Sequence, residues 1–99
     1  MSAGQPSPDE IVVRHNATEF RFETIVDGFV AIADYELAAG TMVMTHTFVP
    51  PELRGRGIAE KLVRAALDWA ATEGLRVVPA CSYVAAFVHR HPEYQSLLR

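Results

Sequence analysis

The run Arg54-Gly55-Arg56-Gly57-Ile58-Ala59 gathers residue types that suit a phosphate ligand. Two glycines let the backbone turn tightly and come close to a bound group. An apolar strand pattern ends just before the run, and a helical pattern begins at Ile58. The run therefore ends at a helix N-terminus, with unpaired N–H groups and the positive end of the dipole. Arg54 and Arg56 add mobile charge and bidentate donors for phosphate oxygens. No Ser, Thr, Asp or Asn occupies positions 54–58 to cap the helix, so its first donors are left to an external anion or to water. The segment is a candidate pyrophosphate cradle. A solvated surface loop fits the local motif equally well. The run lacks the Lys-Ser or Lys-Thr pair of a nucleoside-triphosphate loop and the third glycine of the dinucleotide fingerprint.

Cys81 and His46 are the candidates for covalent and proton chemistry. Cys81 is the only cysteine, placed just past a strand and just before a helix that begins near Ser82. As a thiolate activated by that helix N-terminus or by a base, it could accept an acyl group and pass it on. The competing reading is a small core residue. His46 titrates near neutral pH and suits a general base for an amine or for the Cys81 thiol. In a regular strand it shares phase with Met42, Met44 and Phe48, which predicts a ring turned into a covered face. A buried neutral histidine is the alternative there. The four histidines and one cysteine form no close pair of zinc-site spacing, so no metal site is expected.

The elements that position these residues follow from periodicity. Alternating apolar and polar residues predict strands over 11–14, 19–26, 29–37 and 41–49, with turns at Asp27-Gly28 and Ala39-Gly40 and a stop at Pro50-Pro51. In the third strand Phe29, Ala31, Ala33, Tyr35 and Leu37 share one side. From Ile58 the apolar spacing becomes helical through Leu62, Ala65, Ala66, Trp69 and Ala70, ended by Gly74. Residues 75–81 then read as a buried strand and 82–90 as a second helix. Strand, helix, strand at that spacing implies a parallel crossover attached to an antiparallel meander. The expected fold class is α+β: a mixed, mainly antiparallel sheet of about five strands with two helices.

Composition bounds the function. A chain of 99 residues makes one domain, expected over 10–99 after a disordered lead-in over 1–9. A formal net charge of −3 argues against general nucleic-acid binding, and the local positive charge at 54 and 56 favours a small anion. No apolar stretch reaches the roughly 20 residues that span a bilayer, and the N-terminus lacks a basic and apolar signal. The single cysteine fits a reducing compartment, so a cytoplasmic protein is expected.

Read as Arg54, Gly57 and Ala59, the loop matches Arg/Gln-x-x-Gly-x-Gly/Ala and resembles the pyrophosphate motif of GNAT-type N-acetyltransferases. The order of elements is similar too. The likeness is nearer to small stand-alone GNAT-like acetyltransferases, through His46-Thr47-Phe48-Val49, Arg54-Gly55-Arg56-Gly57, Val78-Pro79-Ala80-Cys81 and Phe87-Val88-His89-Arg90-His91-Pro92-Glu93-Tyr94. It covers most of residues 10–94. The resemblance implies a minimal GNAT acyl-CoA N-acyltransferase fold with acetyl-coenzyme A as acyl donor and an amine, on a small molecule or a protein, as acceptor. It also implies that Arg54, Gly55, Arg56, Gly57, Ile58 and Ala59 hold the pyrophosphate. The backbones of Phe48 and Val49 would pair with the pantetheine arm and polarise the thioester carbonyl. Of the family pattern Asn-x-x-Ala-x-x-x-Tyr, residues 82, 85 and 89 keep only the alanine, so His89 stands where the acid tyrosine is usual. Nothing before the meander could form the helix pair that shapes the acceptor pocket in larger relatives. The acceptor site is then open, or completed by a partner or a second copy. A non-catalytic acyl-CoA-binding module is the alternative function.

Overall fold

The computed structural model describes residues 11–98. Strands β1 (Arg14–Asn16), β2 (Arg21–Val26), β3 (Phe29–Ala38) and β4 (Thr41–Phe48) form an antiparallel meander. Helix α1 (Ile58–Thr72) then crosses over to β5 (Arg76–Pro79), which lies parallel to β4 at the sheet edge. Helix α2 (Ser82–Arg90) and a 3-10 segment (Pro92–Leu98) complete the chain. Two further short 3-10 turns precede β2 and α1. The α+β class, the five-stranded mixed sheet and the two α-helices agree with the sequence pattern. The lead-in expected over 1–9 lies outside the described residues.

Both hairpins turn through left-handed pairs, Asp27-Gly28 at φ 53° and 82° and Ala39-Gly40 at φ 50° and 79°. Such pairs match the right-handed twist of the flanking strands and close a two-residue hairpin. The first strand starts later than periodicity suggests. Val12 instead offers its carbonyl to the Thr24 hydroxyl at 2.7 Å, tying the incoming chain to β2.

One face of the sheet is buried. Ile58, Leu62, Val63, Ala66, Leu67 and Ala70 of α1 pack over Phe22, Ala31, Ala33, Tyr35, Met42, Met44 and Val77. The small side chains at 31 and 33 let the helix approach β3 closely. Trp69 joins an aromatic group in which the His15 ring stacks on Phe22 at 4.1 Å and meets Trp69 edge-on at 4.5 Å. His15 Nε2 bonds the Tyr35 hydroxyl at 2.6 Å. Val84, Phe87 and Val88 bury α2, and the Tyr94 hydroxyl donates to Asp68 on α1 at 2.7 Å, fastening the last segment to the same layer.

The opposite face carries no helix among the described residues. Ile25, Val30, Phe48 and Val78 are exposed on it. Arg14, Asn16 and Arg21 close over Glu23 there, and the Arg21 Nε bonds its carboxylate at 2.8 Å. Covered in this way, Glu23 is only 4% exposed on an otherwise open face. Its pKa falls to about 2, first through the Arg14 bond and then the Arg21 bond, against the opposing effect of burial.

A register shift in β4 overturns one expectation. Asp34 pairs with His46 and Tyr35 with Met44, so Thr45 is an extra residue opposite β3. This bulge reverses the alternation beyond it. Met42 and Met44 are buried, whereas His46 and Phe48 face outward and are exposed. His46 therefore does not share the covered face, and Thr47 takes the inward phase instead.

Candidate functional site

The residues from Arg54 to Ala59 form one local structure. Gly55 and Gly57 both adopt left-handed backbone, at φ 84° and 73°. Gly57 is the N-cap of α1 and brings no capping side chain, as the sequence implies. The first intrahelical bond runs from the Lys61 N–H to the Gly57 carbonyl at 3.2 Å. The amides of Ile58, Ala59 and Glu60 thus stand at the uncapped end of a 15-residue helix. A Cβ added at Gly57 would meet nothing within 4 Å, so its glycine answers to backbone conformation and to what must approach it, not to packing.

The two arginines differ. Arg54 Nε donates to the Val49 carbonyl at 3.1 Å, which folds its side chain back onto the end of β4. Arg56 reaches Asp27 in the β2–β3 turn at 3.3 Å, with 45% and 65% of the two side chains exposed. An ion pair that exposed contributes about 0–1 kcal/mol and exchanges readily for another anion.

A cavity of about 240 Å³ opens in front of the loop, lined by Val49, Leu53, Arg54, Gly57, Ala59 and Tyr83 among others. It continues a gap in the sheet. The last β4–β5 pair is Met44 with Pro79, followed by the Cys81 N–H to the Met44 carbonyl at 2.9 Å. Beyond that point β5 gives way to α2, while β4 runs on through Phe48 without a β5 partner. Val49 and Tyr83 stand on the two sides of the opening.

Cys81 sits at the inner end of this gap, half-buried, as the N-cap residue of α2. Its thiol lies 3.6 Å from the Thr47 hydroxyl. Burial raises the thiol pKa. The Val84 amide, the Thr47 hydroxyl, the Tyr83 amide and the Thr47 amide together outweigh it, so the thiol sits below its ordinary value. These donors draw on the sulfur as charge without closing a neutral capping bond. A thiolate is stabilised here by the start of α2 and by one hydroxyl.

Of the residues singled out in the sequence, Val49, Arg54, Gly55, Gly57, Ile58 and Ala59 line the opening, whereas Arg56 and Cys81 do not. The structure does not bring His46 to Cys81. The bulge puts His46 on the open face, where its ring lies parallel to Phe48 at 6.5 Å. His89 is exposed in the last turn of α2, at the opposite end of that helix from Tyr83. His91 is a packing residue: its ring stacks on Phe87 at 4.0 Å and its Nδ1 bonds the Phe87 carbonyl at 2.8 Å.

Two residues at the site escape sequence reasoning, Thr47 and Tyr83. Tyr83 lies two residues past Cys81, in the first turn of α2, and walls the cavity; burial and then the Glu60 carboxylate raise its pKa, so it remains a phenol that can donate. Its signal was its place in the first turn after the cysteine. Thr47 had none, because only the bulge turns it inward. No cluster of metal-binding side chains occurs among the described residues, and no helix among them is long and apolar enough to cross a membrane.

Residues 21–97 match a family model described as GCN5-related N-acetyl-transferase. The chain is 38% identical over 92 residues to Protein NATD1 of Bos taurus, covering 90% of this chain and 81% of that one. It is 36% identical to Protein NATD1 of Homo sapiens over 92 residues, with coverage of 90% and 81%. Among solved structures, a GCN5-like putative N-acetyltransferase from Staphylococcus aureus, determined by NMR, superposes with a TM-score of 0.69 at 25% identity, covering 93% of this chain and 89% of that one.

Proposed function

The chain belongs to the GCN5-related N-acetyltransferase family, and from that premise we propose that it transfers an acetyl group from acetyl-coenzyme A to an amine. One observation carries the reading: the uncapped N-terminus of α1 behind a loop with two left-handed glycines and two arginines. In this reading the amides of Ile58 and Ala59 and the backbone at Gly55 and Gly57 hold the pyrophosphate. Arg56 exchanges Asp27 for a phosphate oxygen. The pantetheine arm runs between Val49 and Tyr83 along the free edge of β4, where it takes the place of the missing strand and pairs with the Phe48 and Val49 backbones.

Cys81 serves as acyl relay. Its thiolate attacks the thioester carbonyl, a new sulfur–carbon bond forms, and the coenzyme A sulfur leaves and takes up the proton that Cys81 gave up. A neutral amine then attacks the acetyl-cysteine, the nitrogen–carbon bond forms as the sulfur–carbon bond breaks, the nitrogen gives up its extra proton to solvent, and the Cys81 thiolate returns. The amine must shed a proton first; His46, exposed three residues before Val49, is the proposed base, with His89 in reserve. A reducing cytoplasm suits a mechanism with a free thiol.

Calorimetric titration with acetyl-coenzyme A tests the cradle, with Gly57→Val as the variant. Wild-type protein is expected to bind saturably, and the variant to remain folded and lose binding, because a branched side chain there is strained and meets the ligand. Equal binding by Gly57→Val would remove the cradle from the account. Intact mass after incubation with the donor tests the relay: a gain of one acetyl group that disappears in Cys81→Ala is expected. A second reading, an acyl-CoA-binding module without catalysis, draws on the absence of a hydrogen-bonded base on the Cys81 thiol among the described residues. It predicts saturable binding with neither acetylated protein nor acetylated amine.

A further inference from the structure

The Arg54 side chain lies where a pantetheine arm needs open space. Past the last β4–β5 pair, the Thr47 amide turns toward the Cys81 sulfur, on the side where β5 has ended. Backbone groups of a strand repeat their direction every second residue, so the Val49 carbonyl points to the same free edge. Arg54 Nε donates to that carbonyl at 3.1 Å. Arg54 and Val49 both line the cavity in front of the loop, and the guanidinium therefore stands across the edge that the arm would occupy. Among the described residues this is the only bond the side chain makes, which leaves both Nη groups unspent. Glu60, the carboxylate lining the same cavity, pairs with Arg64 instead.

A carbonyl takes one bond from one corner of the guanidinium fork. A phosphate takes two and carries the opposite charge, so it is the stronger partner. The side chain is exposed, and rotation about its own bonds is enough to carry it from the carbonyl toward the loop. We propose that Arg54 gates the donor site: it covers the Val49 carbonyl until a pyrophosphate draws its guanidinium to the loop, and only then is the β4 edge open to the pantetheine arm. Arg54 is thereby a specificity-determining residue. It selects acyl thioesters whose arm carries a pyrophosphate over the same thioester on a bare arm. This rests on the acetyltransferase reading and adds to it how the donor is chosen. Because one side chain links the two halves of the donor, each half tightens the other by the same factor.

Amide-resolved NMR of the whole chain tests the gate with the two halves as separate probes, inorganic pyrophosphate and S-acetyl-pantetheine, at constant ionic strength. Pyrophosphate is expected to shift the amides of residues 54–59. At saturation it should tighten acetyl-pantetheine by about fivefold or more, the lower end of ordinary coupling between two sites. The arm should then shift Phe48 and Val49. In Arg54→Ala the arm should bind the free protein more tightly than it binds free wild type, and pyrophosphate should no longer change that affinity. A merely structural role for Arg54 predicts the reverse, an arm affinity that is equal or lower in the variant. Equal arm affinity with and without pyrophosphate in wild type, undiminished coupling in Arg54→Ala, or no arm binding at saturating pyrophosphate would overturn the proposal. Titration with intact acetyl-coenzyme A keeps the two claims apart. Shifts from the intact donor at residues 48–59, with its halves uncoupled, sink the gate alone. No shift there from the intact donor sinks the donor reading and the gate with it.

Discussion

Cys81 and Glu23 show opposite uses of the same electrostatics. At Cys81 the start of α2 and the Thr47 hydroxyl favour the anion over the burial that opposes it, and the result is a thiol poised below its ordinary value. The rate of alkylation by iodoacetamide should therefore have its midpoint on the acid side of an unperturbed cysteine, near 8.5. Thr47→Val should move that midpoint upward. At Glu23 two arginines hold a carboxylate at a pKa of about 2 on the open face, where the Arg14 and Asn16 contacts fasten β1 to β2. Its folded pKa lies below the unfolded one, so the clamp's contribution is complete above about pH 4.5 and fades as pH falls toward 2. Glu23→Gln should cost about 1–3 kcal/mol in urea unfolding at neutral pH. That deficit should shrink steadily below the unfolded carboxylate pKa. A pH-independent deficit would assign the loss to packing.

Strand β4 is where local reading of the chain stops being sufficient. Periodicity placed every strand and both helices within a few residues, because α1 and the hairpins carry their own signals in Leu62, Ala66, Trp69 and the glycine-bearing turns. The backbone of the 54–59 loop was equally legible, since its glycines and missing cap are local facts. The bulge was not. Thr45 is an ordinary strand residue, and its extra place is visible only against β3, through pairing that no local pattern encodes. One unseen residue reversed the faces of His46, Thr47 and Phe48, and with them the composition of the site. The last 3-10 segment was hidden for a related reason: Tyr94 is anchored by Asp68, 26 positions away. The β3–β4 turn holds a testable cost of its own. Ala39 sits at φ 50°, where a Cβ is strained and Asn is at ease. Ala39→Asn should raise stability by about 0.5–1 kcal/mol in thermal or urea unfolding, with the cradle untouched.

Among the described residues a single sheet face is covered, so the core is modest, and α1 supplies much of it. The same helix offers its first turn to the proposed donor. Its side chains hold the sheet while its terminal amides meet the ligand, so no hinge separates the site from the interior. A ligand bound there stabilises the entire fold by mass action, by about 2.7 kcal/mol at a hundredfold excess over its dissociation constant. Thermal denaturation with added acetyl-coenzyme A should thus show one transition that moves upward as a unit, whereas a separately melting loop would show as a second phase. Leu62→Ala, in the buried stripe, should lower the melting temperature of free and loaded protein alike, at a cost of about 2–5 kcal/mol. In a cell, proteases sample the unfolded fraction, and with the proposed donor bound at α1 that fraction falls when the donor is plentiful. On that proposal the dual role of α1 would couple the lifetime of the protein to metabolic supply: starvation for the acyl donor would thin the population itself, before any change in turnover per molecule.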